Sequence, residues 1–186
     1  MSTKPLPFSK FIWIPIMIAA LATIMMAVDI HLGSKKVYGG AVCTFIAFQA
    51  WAMYFMAGCN IKDGIRVLLG YIGGIAASIA IIELATLDVS VKYMGDYKFL
   101  IPVFLVVILV ICAERVPMID FVPAWFVSAG MYFAMTNFWG TGTESTFEFH
   151  QSIALAIIVS CIWGLIFGFV TVLLRGIYEK MVRSSN

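Results

Sequence analysis

Six stretches of this chain are apolar for long enough to cross a hydrocarbon layer about 30 Å thick, and most charges stand between them or at the chain ends. They run from about Ile12 to His31, Val37 to Gly58, Gly64 to Leu87, Tyr97 to Ala113, Met118 to Thr136 and Gln151 to Arg175. Inside a bilayer every backbone N–H and C=O must be satisfied by the chain itself, so runs of this length are expected to fold as helices. Composition closes the soluble alternative. With 62% hydrophobic and 12% charged residues and a mean hydropathy of +1.01, a chain of 186 residues has too much apolar surface to hide in one water-soluble core. A barrel would show alternating ten-residue strands with polar lumen faces, and none is visible. The expected fold is an all-α membrane protein, one integral domain over residues 1–186 with six transmembrane helices.

Lys4 and Lys10 precede the first apolar run, but no small-residue cleavage site follows it, so it reads as a span that stays in place. With the N-terminus inside, Lys4, Lys10, Lys62, Arg66, Arg115, Arg175, Lys180 and Arg183 fall on the inner side, and Lys35, Lys36, Lys92 and Lys98 on the outer. That excess predicts both termini in the cytoplasm. The stretch from Asn137 to His150, with Glu144 and Glu148 and no Lys or Arg, agrees with an outer location. Its rings and hydroxyls suit interfacial anchoring, or a partial re-entrant lid.

The segment from Ile119 to Phe133 is the most unusual of the six. It places Asp120, Pro123, Phe121, Trp125 and Phe126 where a simple anchor would use leucine. Pro123 is expected to kink a helix and free carbonyls for a cavity. Two halves of three spans would insert in opposite directions, and several matches suggest such a 3+3 inverted repeat. Ala50-Trp51 answers Ala124-Trp125, Met53-Tyr54-Phe55 answers Met131-Tyr132-Phe133, and Gly70-x-x-x-Gly74 answers Gly164-x-x-x-Gly168. The first two matches need offsets differing by one helical turn. On this reading spans two and five face each other, and Phe48, Gln49, Trp51, Tyr54, Phe121, Pro123, Trp125 and Phe126 line a pore. Gln49 would supply a donor and an acceptor to the solute, and the rings would exclude hydrated ions.

Each of these residues also has a plainer role. Gln49 can simply bond a neighbouring helix. Gly70, Gly74, Gly164 and Gly168 allow close helix packing, within one subunit before between subunits. Asp29, Glu83 and Asp120 are possible gating or coupling acids, although Asp120 fits an N-cap and the other two fit wet helix ends. Glu114 and Arg115 are expected to pair at the cytoplasmic surface. His31 and His150 are both expected at the outer surface, and two histidines with scattered acids make no zinc pattern. Cys43, Cys59, Cys112 and Cys161 lack metal-type spacing. No nucleophile motif or phosphate-binding loop is present, so neither catalysis nor a cofactor is expected, and a net charge of +2 without a basic run gives no reason to expect nucleic acid.

The run around Trp51 leading to Gly58, Lys62 and Gly64, the sequence Phe121-Val122-Pro123, and Gly164-Leu165-Ile166-Phe167-Gly168-Phe169 resemble the YcdZ-like family, small bacterial inner-membrane proteins gathered under a domain of unknown function. The likeness runs from about Gly40 to Arg175. The chain departs from the family at Trp125, where a small residue is usual, and in a longer connection between spans five and six. The resemblance implies a bacterial inner membrane and no defined activity. The reading that follows is a homo-oligomeric channel or facilitator in a lipid bilayer for a small uncharged or weakly acidic solute. The alternatives are a proton- or ion-coupled secondary transporter and a non-transporting scaffold subunit.

Overall fold

The computed structural model describes residues 6–34, 44–139 and 147–184, and among these it is helical with no strand. The helices are α1 (Phe8–Phe11), α2 (Trp13–Ser34), α3 (Thr44–Ala57), α4 (Ile61–Thr86), α5 (Asp88–Met94), α6 (Leu100–Cys112), α7 (Val122–Trp139) and α8 (Phe147–Ser184). By length and composition α1–α2 together, α4 and α8 can each cross a membrane, and the bent pair from α5 to α6 makes a fourth candidate. α3 is apolar but shorter. The protein is thus a helical, membrane-embedded one.

Local chemistry explains the breaks. α3 ends on Gly58 at φ 131° and Cys59 at φ 62°, left-handed conformations that turn the chain back on itself. α4 then begins on Asn60, whose side chain accepts from the Asp63 N–H at 3.0 Å, a standard N-cap. Between α5 and α6 the axis bends by 88°, with Gly95 at φ 50° in the connection, so α5 lies across the direction of α6. Pro123 stands in the first turn of α7. A proline there loses an N–H that had no intrahelical partner anyway, so the expected kink within a span does not arise. α8 runs past the expected end at Arg175 to Ser184, with Arg175 donating to Glu179 one turn on at 2.8 Å.

Two close crossings organise the bundle: α3 packs along α8, and α4 along α7. Both pairs run parallel and both are set by glycine. At Gly164 an added Cβ would lie 2.1 Å from the Ala47 carbonyl oxygen and 2.9 Å from Ala50 Cβ, while at Gly168 it would meet the Tyr54 ring. At Gly70 it would meet Ala124 Cβ and the Phe121 carbonyl, and at Gly74 the Trp125 carbonyl and Ser128 Cβ. Ala47, Ala50 and Tyr54 are spaced along α3 as Phe121, Ala124 and Ser128 are at the head of α7, so the two crossings share one contact pattern. α3 and α7, expected to face each other, therefore take their main contacts from α8 and α4, because only a glycine groove lets two backbones approach this closely.

The remaining apolar helices follow the same plan. α2 sets Met25 against Trp51 and Phe167, and α6 sets Val106 and Val110 against Ile81 with Trp125 alongside. Between the two crossings lies the main core, where Tyr71, Tyr132, Ile157 and Cys161 are fully buried.

Candidate functional site

Polar side chains in this bundle gather at its two ends, and each group ties α4 to other elements. At the end where α4 begins, Arg66 reaches over to Asp120 just ahead of α7. Its Nε and Nη2 donate to the two carboxylate oxygens at 2.9 Å each, and its Nη1 donates to Asp63 at 2.8 Å. The guanidinium also lies 6.0 Å from the centre of the Phe121 ring. A bidentate fork of this kind fixes orientation as well as adding attraction. It holds the Asp120 carboxyl below the usual carboxylate range, first through the hydrogen bonds and then through the charge of Arg66. Beside it, Trp125 Nε1 donates to the Ile119 carbonyl at 3.0 Å and its ring covers Gly73. The Tyr178 hydroxyl donates to the Lys10 carbonyl at 2.6 Å, closing the first helices onto the last at this same end.

At the opposite end three helices converge on His150, in the first turn of α8. Its Nε2 lies 3.1 Å from Glu83 Oε1 on α4, and its Nδ1 is hydrogen-bonded to the Tyr132 hydroxyl on α7. The Tyr132 and His150 rings are near parallel, 16° apart with centres 6.1 Å apart, and Phe149 meets the imidazole edge-on. Exposure falls along the group, from 53% for the Glu83 side chain to 9% for His150, and Tyr132 is fully buried. Also at this end, Asp29 on α2 accepts from both the N–H and the hydroxyl of Thr44, capping the start of α3.

Between the ends the interior is apolar with a few polar exceptions. Ser128 donates to the Tyr71 carbonyl at 2.6 Å, across the α4–α7 crossing. The Tyr71 hydroxyl and the indole nitrogens of Trp51 and Trp163 are enclosed and have no hydrogen-bond partner among the described residues. Each such donor costs about 1–3 kcal/mol while unmet. An open, apolar groove of about 260 Å³ lies between α4 and α8, lined by Tyr54, Gly64, Leu68, Leu165 and Phe169 among others.

The residues read as pore-lining do not meet in one constriction. Gln49, Phe48 and Phe126 are exposed on outer helix faces, and Pro123 is exposed in the first turn of α7. Phe48 stacks on Trp51, 6.1 Å centre to centre. Trp51 and Tyr54 are buried against α8, Trp125 seals α4, and Phe121 lies half-buried beneath Arg66. The three acids fall into separate places: Asp29 on the cap of α3, Glu83 in the histidine group and Asp120 on Arg66. Glu114 and Arg115 are exposed and form no ion pair with each other among the described residues. His31 is exposed, whereas His150 is buried, because α8 begins early enough to carry its first turn against α4 and α7. Residues 35–43, with Cys43, and 140–146 lie outside the described residues.

Reading the sequence missed Tyr132 and His150 as a pair, and Arg66 as the partner of Asp120. Spacing from the chain ends of the spans was the available signal: Glu83, Tyr132 and His150 all stand near the same predicted surface. Among the described residues no group of three or more His, Cys, Asp or Glu side chains is arranged to hold a metal ion.

Compared with known proteins, residues 15–175 match the model of a family described as "Protein of unknown function (DUF1097)". No curated protein and no solved structure matches.

Proposed function

We propose, for a chain that belongs to the DUF1097 family and takes no assigned activity from it, a membrane channel or facilitator for small uncharged or weakly acidic solutes. In this reading six spans form two inverted halves of three, both chain ends are cytoplasmic, and the setting is the bacterial inner membrane that the YcdZ-like resemblance implies. One observation carries it. The contact pattern of α3 on α8 recurs in α7 on α4, with Gly164 and Gly168 standing to α3 as Gly70 and Gly74 stand to α7. Exchanging span two with five and span three with six maps each crossing onto the other. α2 against α8 and α6 against α4 obey the same exchange. Inverted halves of this kind recur in transport proteins, whose solute sites lie at the repeat interface near the midplane.

The chemistry of the interior supports the solute class. The three unmet groups, Trp51 Nε1, Trp163 Nε1 and the Tyr71 hydroxyl, each offer an N–H or O–H donor. A solute that offers carbonyl or carboxyl oxygens supplies what they lack, and a hydrated cation does not. Gln49 supports a homo-oligomer. Its amide is exposed on the outer face of α3 beside Phe45 and Met56, and an amide facing lipid is costly unless a second copy bonds to it.

Purified protein in liposomes should speed swelling with urea, acetamide and glycerol. Rates equal to those of empty liposomes for all three would end the facilitator reading. Topology has its own check: Cys59, at the turn between α3 and α4, should react with an impermeant maleimide from the cytoplasmic side alone. Labelling from the outside would overturn the orientation.

A further inference from the structure

We propose that Glu83, His150 and Tyr132 form a proton-binding site at the outer mouth of the bundle, and that its loading gates solute movement. The proposal deepens the transport reading and rests on it for the word "gates", while the proton site stands on its own geometry. An ionisable side chain buried among membrane helices is costly to keep, and such groups commonly mark proton or solute paths. Here the three groups are graded from water to core: the carboxylate is half-exposed, the imidazole is nearly enclosed, and the phenol is fully buried. They also come from three helices, α4, α7 and α8, so a change in their bonding acts on both crossings at once.

The bonding has two self-consistent arrangements. With a neutral ring, Nε2–H donates to the Glu83 carboxylate and Nδ1 accepts from the Tyr132 hydroxyl. When the ring takes up one proton from the outer aqueous phase, both nitrogens become donors. Nε2–H keeps its carboxylate, Nδ1–H now donates to the phenol oxygen, and the Tyr132 O–H has to turn to another acceptor. The loaded site holds one proton more than the resting site, and release to either side restores the first arrangement. No covalent bond to carbon changes. The reversal at Tyr132 is the mechanical event, because α7 carries that residue one turn beyond Ser128, whose hydroxyl bonds the α4 backbone.

The charges around the ring are few. Glu83 faces it from α4 and Tyr132 from α7. Glu148 stands exposed two residues earlier on α8, and the first-turn N–H groups of α8 lie beside the ring. The described part of α3 brings no titratable side chain to this end, and α2 brings Asp29, bonded by Thr44, and the exposed His31.

The chain has two histidines, which makes the site readable. Full-length protein with nitrogen-15 histidine, carrying His31→Gln, leaves a single imidazole for nuclear magnetic resonance in bilayers. Over an interval of falling pH, His150 should pass from the neutral Nε2–H form to the doubly protonated one, and Glu83→Gln and Tyr132→Phe should each displace that transition. A ring that stays in one form throughout, or a transition indifferent to both substitutions, overturns the proton site. In liposomes, acetamide flux should change several-fold over the same interval in the wild type and become flat in His150→Gln and in Tyr132→Phe, which keeps the ring and the fold. Flux that is already flat in the wild type, or that keeps its pH profile in both variants, overturns the gating. No flux at any pH would sink the transport reading while the resonance measurement still judges the site.

Discussion

Replacing Gly164 by alanine places a methyl group 2.1 Å from the Ala47 carbonyl oxygen, 2.9 Å from the Ala47 carbonyl carbon and 2.9 Å from Ala50 Cβ. A relaxed carbon–oxygen contact needs about 3.3 Å or more, so α3 and α8 must part by roughly 1 Å along the crossing. No rotamer relieves this, since the obstacle is backbone on one side and Cβ on the other. Overpacking of this kind costs about 1–3 kcal/mol, and parting the helices also forfeits dispersion contacts on both sides of the glycine, so the upper end, ~3 kcal/mol, is the expected loss. Gly74→Ala meets the Trp125 carbonyl oxygen at 2.2 Å and Ser128 Cβ at 2.9 Å, the same obstacle in the other crossing, and should lose as much. Gly130 and Gly176 are also helical, but a Cβ there meets nothing within 4 Å, so alanine should help by up to about 1 kcal/mol through backbone entropy alone. Unfolding of the full chain in mixed micelles against rising dodecyl sulfate, followed by tryptophan fluorescence, orders the four variants. The reasoning fails if Gly164→Ala lies within about 0.5 kcal/mol of wild type, or if Gly176→Ala proves as damaging as Gly164→Ala.

Acid should loosen the Arg66 latch. The Asp120 carboxyl is held below its ordinary range in the fold, so its contribution is present above that range and is lost as pH falls below it through the lowered folded-state value. Thermal unfolding midpoints should drop on the acid side, less steeply in high salt and not at all from this cause in Asp120→Asn; an identical acid limb in wild type and variant refutes the assignment. Asp29→Ala removes the acceptor that caps α3 and should cost about 1 kcal/mol in the same denaturation assay, whereas no change would mean water replaces the carboxylate without loss.

The glycine pairs were legible in the sequence, and so was the Ala-Trp match between spans two and five, because both are written in small residues at helical spacing. What could not be read was which helix each pair would take. Gly70 and Gly74 carry no mark that points to α7, and the decisive complement, Ala124 and Ser128 against Ala50 and Tyr54, is plain only once the chain has crossed over. Of the two competing offsets, the contacts follow Ala50-Trp51 with Ala124-Trp125, since those positions meet the glycines, and leave Met131 to Phe133 unmatched. Pro123 misled because a proline in an apolar run looks like a kink until the helix start is located. Span counting also set α8 to begin four residues too late, which left His150 on the surface. Asp120 was expected to cap a helix start, but it lies two residues ahead of α7 with its carboxylate on Arg66, a partner 54 residues away in sequence and beyond any local pattern.

The exchange of partners between the two crossings has a consequence for synthesis. Each helix pair draws one member from the first half of the chain and one from the second, so neither half owns a finished core. As the ribosome delivers the chain, α3 presents its Ala47, Ala50 and Tyr54 face uncovered and α4 its Gly70–Gly74 groove bare, and both must wait, α4 until α7 emerges and α3 until α8 does. The last helix to be made therefore completes a contact begun by one of the earliest. Quality control can read that delay directly: a chain truncated before α8 leaves the Ala47, Ala50 and Tyr54 face of α3 without its partner, and a chain that carries α8 covers it.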